Sequence, residues 1–170
     1  MEPWRRLDES GDEEARALLA TCCGARRWVE RMSARRPFRD RDTLLAAARD
    51  EWFALDPADW LEAFAHHPRI GDLDALERRF GATAHLSGQE QAGINTAGAD
   101  VLDALAAGNR TYEDRFGFIF IVCATGKRAE EMLGLLQARL ENDRRTELGI
   151  AAEEQAKITE LRLLGLGARR

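Results

Sequence analysis

The sequence predicts an all-α fold: a single-domain bundle of about eight helices with one buried extended loop. Three observations lead there. Apolar residues recur at three- and four-residue spacing along almost the whole chain, as one face of a helix requires. Strict alternation of apolar and polar residues, the mark of a half-buried strand, is nearly absent. Only four prolines fall in 170 residues, so helices have room to run. A chain of this length buries about two-thirds of its unfolded surface, enough for one core.

The elements follow in order. The domain is residues 1–170, with 1–9 allowed to be disordered. A helix runs from Asp12 to Cys23, apolar at Ala15, Leu18, Leu19 and Cys22, until Gly24 interrupts it. Arg26 to Ser33 forms the next, carrying Trp28, Val29 and Met32, and Arg35-Arg36-Pro37 is a break. Asp42 or Thr43 caps a helix through Leu55, with Leu44, Leu45, Ala48, Trp52 and Phe53 on its inner face. Asp56-Pro57 is a start signal, an N-cap followed by proline at the first helical position, and that helix reaches about His66. Asp72 caps another to about Phe80, where Gly81 stops it. Ser87 opens a longer helix ending near Gly108, its continuity weakened by Gly93 and Gly98. A turn over 109–115 (NRTYEDR) leads into 116–126 (FGFIFIVCATG), the one stretch that reads as extended and buried. Lys127 to Leu140 and Asp143 to about Leu164 are the last two helices. No internal repeat, linker or low-complexity tract interrupts the series.

Composition narrows the function. A net charge of −5 and a pI near 5.3 argue against a general nucleic-acid binder, which needs a net basic face. Tyr112 is the sole tyrosine, which argues against base stacking on RNA. An anionic small substrate stays compatible, because a site needs only one or two local cations. The longest apolar stretch, 118–124, is too short to span a bilayer. Residues 1–16 hold no apolar core of signal-peptide length. Cys22, Cys23 and Cys123 are odd in number and two are adjacent, so no disulfide framework is suggested and a reducing cytoplasm is the expected location.

Four places invite chemistry. In HHPRIGD (66–72), Pro68 disfavours the α conformation in the residue before it, so His67 should leave the helix that ends at His66. The negative helix end favours imidazolium there by about 0.3–1 kcal/mol, biasing His67 toward a proton it can donate. A histidine that merely bonds the last helical carbonyls fits the same pattern. Ser87-x-x-Glu90 fits a capping box. Alternatively Glu90 and Gln91 face a ligand at a positive helix end, Glu90 ionised and Gln91 able to donate and accept. Arg162 lies between Ile158 and Leu166 on a partly apolar face, with Glu160 nearly opposite. An unpaired charge there is costly, so it needs an anion such as Glu90 or a ligand, unless its stem covers apolar surface while its head reaches water. Segment 116–126 has no obvious strand partner, and its backbone groups need either core contacts or a polar ligand. A zinc site from His66, His67, His85 and Glu90 is disfavoured, since neighbouring histidines do not easily share a tetrahedral metal and no HxxxH or CxxC spacing exists.

Taken together, HPRIG (67–71), S-x-x-EQAG (87–93), N-x-x-Y-x-x-x-FGF-x-F-I (109–121) and K-I-x-x-LRL (157–163) resemble, in order and spacing, the OHCU decarboxylases, that is, 2-oxo-4-hydroxy-4-carboxy-5-ureidoimidazoline decarboxylases. The resemblance covers about residues 10–166. Each motif is weak alone, and four in order are specific. The resemblance implies an all-helical, usually dimeric enzyme that converts OHCU to (S)-allantoin in urate degradation without metal or organic cofactor. It implies His67, Glu90 and Arg162 as catalytic residues. It implies Pro68, Ser87, Gln91 and the backbone of Phe118, Ile119, Phe120 and Ile121 as substrate contacts. Many members carry proline where this chain has Ile119, which leaves the loop an extra N–H. The implied partners are a small-molecule substrate and a second copy of the chain, with no nucleic acid and no membrane. Two rivals remain: a non-enzymatic helical interaction domain, and a lyase for a related ureido or imidazolone compound. The first expects Glu90→Gln and Arg162→Lys to change stability alone, and substrate profiling separates the second.

Overall fold

The computed structural model describes residues 1–68 and 91–168, with backbone alone for 91–97. Among the described residues there are eight helices and no strand: α1 (Pro3–Glu9), α2 (Asp12–Cys22), α3 (Arg26–Ala34), α4 (Arg41–Phe53), α5 (Pro57–Ala65), α6 (Gln91–Phe116), α7 (Ala129–Leu140) and α8 (Arg144–Gly165). The all-α expectation holds, and so does the buried extended segment, which joins α6 to α7. The helix expected over 72–80, and Ser87 and Glu90 at the expected start of the next, lie outside the described residues. The chain divides into two compact units, Met1–His67 with Ala152–Arg170, and Pro68–Ala151. Helix α8 supplies its first turns to the second unit and its remainder to the first.

In the first unit, α1 covers Pro3–Glu9. Pro3 sits at the start of the helix, Leu7 is fully buried, and Arg6 Nη1 donates to the Leu166 carbonyl at 2.8 Å. Asp12, Glu13 and Glu14 occupy the first turn of α2, where the positive helix end favours them. Ala15, Leu19 and Cys22 form its buried stripe. The cap of α4 is Asp40 rather than Asp42 or Thr43: its carboxylate accepts from the Thr43 amide at 2.7 Å, leaving Asp42 in the first turn. Leu44, Ala48 and Trp52 face inward, but Phe53 does not. Nine residues at 100° each place it opposite Leu44, and it rests edge-on against Trp60 instead. Asp56 and Pro57 open α5 as expected, although the Asp56 side chain makes no capping bond.

Three indoles bind this unit together. Trp28 Nε1 donates to the Ala48 carbonyl at 3.0 Å, Trp52 Nε1 to Ala152 at 2.9 Å, and Trp60 Nε1 to Trp52 at 3.0 Å. Trp28 and Trp52 are buried and Trp60 is partly exposed, and the polar atom of each finds a helical carbonyl.

The second unit is organised by aromatic rings. Residues 109–115 do not turn; they continue α6 to Phe116. Asn109 and Thr111 satisfy their own polar atoms by bonding back to the carbonyls of Leu105 (2.9 Å) and Ala107 (3.1 Å). Tyr112 and Phe116, one turn apart, are both buried, with centroids 4.6 Å apart. Phe118 and Phe120 join the Tyr112 ring at 5.8 and 5.2 Å. Burying such side chains contributes about 1.5–3 kcal/mol each, more than the local preference of Asn and Asp for turns.

Candidate active site

Local geometry divides the two adjacent histidines. His66 is the C-cap residue of α5, still in the α conformation (φ −83°, ψ −8°), and its Nδ1 lies 2.9 Å from the Glu62 carbonyl. It does the carbonyl-bonding work that the sequence alone allowed for His67. Gly24 makes room for it: a Cβ at that position would stand 2.5 Å from His66 Cγ and 2.7 Å from its Cβ. The His67 amide makes the last bond to the helix, to Phe64 at 3.1 Å, and the exposed Pro68 then carries the chain away.

The half-buried ring of His67 turns to α8, where Nε2 meets Gln155 Oε1 at 2.5 Å. Gln155 is fully buried, and its amide nitrogen donates to Thr159 Oγ1 at 3.0 Å. The Thr159 hydroxyl in turn reaches Cys23. Burial lowers the His67 pKa below its ordinary 6.5; the Gln155 bond opposes this, while Arg162 and His66 reinforce it. The helix-end expectation of a proton-bearing imidazolium is therefore reversed in sign: burial and a neighbouring cation favour the neutral ring.

Arg162 differs from expectation as well. It is exposed, and Nη1 donates to the Cys22 carbonyl at 3.3 Å at the end of α2. Among the described residues no carboxylate pairs with it. The buried stripe of α8 is Ala152, Gln155, Ala156, Thr159 and Leu163, one step round from the Ile158–Arg162–Leu166 face, so the guanidinium lies at the edge of that stripe beside His67. Burial pushes the Cys22 thiol up to about 11 and Cys23 to about 12, so both stay protonated and unreactive at neutral pH.

In the second unit, Phe118, Phe120 and Ile121 are buried and Ile119 is partly exposed. Part of the demand of this segment for polar partners is met internally. Arg139 Nη1 donates to the Ile121 carbonyl at 2.7 Å, and Arg144 Nε to Phe116 at 3.0 Å. The Arg139 guanidinium also lies 4.6 Å from the centre of the Phe120 ring. It is charge-balanced by Glu147, fully buried, whose carboxylate accepts from Arg139 and from the Tyr112 hydroxyl (2.5 Å each) and from Asn142 (3.0 Å). Burial and that bond to Glu147 hold the Tyr112 phenol well above its ordinary pKa, so it remains a donor.

Of the residues implied as catalytic, then, the first unit brings His67 and Arg162 together, and Glu90 lies outside the described residues. Of the implied contacts, Ser87 is also outside, Gln91 is described only as helix backbone in α6, and Phe118–Ile121 form a segment fixed by Arg139. Sequence reasoning missed Gln155, Thr159, Arg139 and Glu147. The first pair did leave a signal, two polar residues four apart on an otherwise apolar stripe.

Among the described residues no group of three or more His, Cys, Asp or Glu side chains could hold a metal ion, and no helix is long and apolar enough to cross a membrane. The chain is 38% identical over 159 residues to the uric acid degradation bifunctional protein TTL of Arabidopsis thaliana, covering 93% of this chain and 48% of that one, so it spans about half the relative's length. It is 33% identical to the 2-oxo-4-hydroxy-4-carboxy-5-ureidoimidazoline decarboxylase of Amia calva, covering 75% of this chain and 73% of that one. A crystal structure of OHCU decarboxylase in the presence of (S)-allantoin superposes with a TM-score of 0.72 at 37% identity, covering 92% of this chain and 98% of the other. The OHCU decarboxylase family model matches residues 8–164. A match over that span, with the same helical fold beneath it, means that the chain belongs to the OHCU decarboxylase family.

Proposed function

We propose that this chain decarboxylates OHCU to (S)-allantoin, working as one domain within a cytoplasmic homodimer and without a cofactor. The observation that carries the reading is the likeness to a solved OHCU decarboxylase across 98% of its chain at 37% identity. The cytoplasmic assignment is supported by the cysteine pattern, odd in number with two adjacent, which suggests no disulfide framework. The homodimer rests on the family resemblance.

The chemistry named by the substrate explains why no electron sink need be borrowed. The ring carbon bearing the hydroxyl and carboxylate stands next to a C=N bond. When the bond to the carboxylate breaks, CO2 leaves and the electron pair passes into that C=N, whose nitrogen takes a proton. The hydroxyl then gives up its proton as the neighbouring carbon, the one bearing the ureido group, takes one. The products are a carbonyl and a single C–H stereocentre. One proton is taken up overall, and the face it reaches decides the hand of the allantoin. His67 is the proton-transfer residue in this scheme, neutral and therefore able to accept first and return afterwards. Arg162 stabilises negative charge as it develops on the ring oxygen. Glu90 orients the imidazole or holds the ureido group, with Pro68, Ser87, Gln91 and the Phe118–Ile121 backbone as further contacts.

The test follows circular dichroism while freshly generated OHCU is mixed with the protein. Optically active allantoin should appear rapidly, and His67→Gln should lose about 100- to 10,000-fold in rate. Racemic product at the uncatalysed rate with the unaltered protein would overturn the reading.

A further inference from the structure

We propose that Gln155 is a positioning residue that holds His67 in its Nε2–H tautomer and so makes Nδ1 the nitrogen that exchanges a proton with the substrate. The inference rests on the decarboxylase reading for its second half and on geometry for its first. A neutral imidazole carries its proton on one nitrogen, and the bond made by the other end of the ring decides which. Here Nε2 meets an amide oxygen at 2.5 Å. That oxygen can only accept, so Nε2 must donate.

The orientation of the amide is set by its far end. Gln155 Nε2, a donor, faces Thr159 Oγ1 at 3.0 Å inside the protein, and the Thr159 hydroxyl has Cys23 on its other side. The bonds therefore run in one direction, from imidazole to amide to hydroxyl. Gln155 and Thr159 are buried at 0% and 4% exposure, so water does not compete to turn the amide over. Among the described residues Nδ1 has no hydrogen-bond partner, and the charged or titratable groups acting on the ring are Arg162 on α8 and the adjacent His66.

With Nε2–H fixed, the lone pair is on Nδ1. In the proposed reaction Nδ1 takes the ring hydroxyl proton, giving an imidazolium whose second N–H still rests on Gln155. It then returns that proton to the carbon bearing the ureido group. The histidine ends as it began, and the one proton taken up overall goes to the ring nitrogen. A glutamine suits this cycle better than a carboxylate would, because it orients the ring without stabilising the imidazolium so strongly that the proton stays behind.

The experiment reads the tautomer before it reads the rate. Nitrogen-15 multiple-bond spectra of histidine-labelled protein, assigned through His66→Gln and His67→Gln, report which ring nitrogen of His67 carries the proton without any substrate. The unaltered protein should show Nε2–H near neutral pH. Gln155→Leu should show a mixture or the other tautomer, with kcat lowered at least about tenfold and KM little changed. Gln155→Glu, which restores the acceptor oxygen, should recover the Nε2–H tautomer and raise the titration of His67, moving the acid limb of kcat to higher pH. A folded Gln155→Leu protein with an unchanged tautomer overturns the proposal, as does an unaltered protein with the proton on Nδ1. Should Gln155→Leu fail to fold, a Gln155→Glu protein whose His67 titrates as before overturns it equally. Failure of the decarboxylase reading looks different: the tautomer responds as stated, OHCU is left untouched, and the Nδ1 step falls with it.

Discussion

Two buried polar clusters, one in each unit, solve the same problem in opposite ways. In the second unit a full charge is buried and fully answered: Glu147 accepts from Arg139, Tyr112 and Asn142, and Arg139 donates further to the Ile121 carbonyl and the Tyr112 hydroxyl. In the first unit the charge is kept out. His67, Gln155 and Thr159 are linked by dipoles alone, and the nearby cation, Arg162, stays exposed and bonded to one carbonyl. A saturated ion pair resists change and suits a segment that must stay in place. A neutral chain ending in a titratable ring can gain and lose a proton, which is what proton transfer demands.

The sharpest way to break the comparison is to unbalance the charged cluster. Glu147→Ala leaves Arg139 buried and unanswered, and should cost about 3–5 kcal/mol in urea unfolding. A loss much smaller than that would mean that water or another carboxylate reaches the guanidinium. Next comes Arg162→Lys. An ammonium cannot reproduce the planar fork, so turnover should fall about 100-fold with little change in melting temperature. Normal kinetics would reduce Arg162 to a point charge. Gly24→Ala should be milder, about 1–3 kcal/mol from overpacking against His66, with some loss of activity because the end of α5 moves with it. Unchanged stability would mean that His66 can swing aside.

The smallest effect concerns pH. His67 is held below its ordinary 6.5 in the folded chain, so the unfolded chain takes up the proton first as pH falls. The neutral His67 therefore contributes fully above the unfolded value, and that contribution is lost as pH drops from 6.5 toward the lower folded value. His67→Gln should flatten this part of the stability curve. Parallel curves for the two proteins between about pH 7 and pH 5 would show that His67 is not held neutral.

Much of the fold was legible because its signals are local. Asp56-Pro57 starts α5 where capping and proline geometry say it should, and the absence of strand periodicity proved a sound guide to class. The misreadings share one cause. Asn109, Thr111 and Asp114 have turn chemistry, but Tyr112 and Phe116 pack against rings that come later in the chain. The pKa of His67 was judged from the helix end beside it, whereas burial, and Arg162 distant in sequence, lower it. Gln155 lies 88 residues from the ring it holds, and no spacing rule connects them. The family motifs did point to His67 and Arg162 together, because a motif carries tertiary information that periodicity lacks.

The placement of the aromatic side chains gives the molecule two separate spectroscopic reporters. Trp4, Trp28, Trp52 and Trp60 all belong to the first unit, while Tyr112, the sole tyrosine, belongs to the second. Indole emission therefore follows the loosening of one unit, and the phenol absorption band follows the other. Coincident transitions in both signals would show that the two units unfold as one cooperative body, and separated transitions would identify, without any label, which unit opens first.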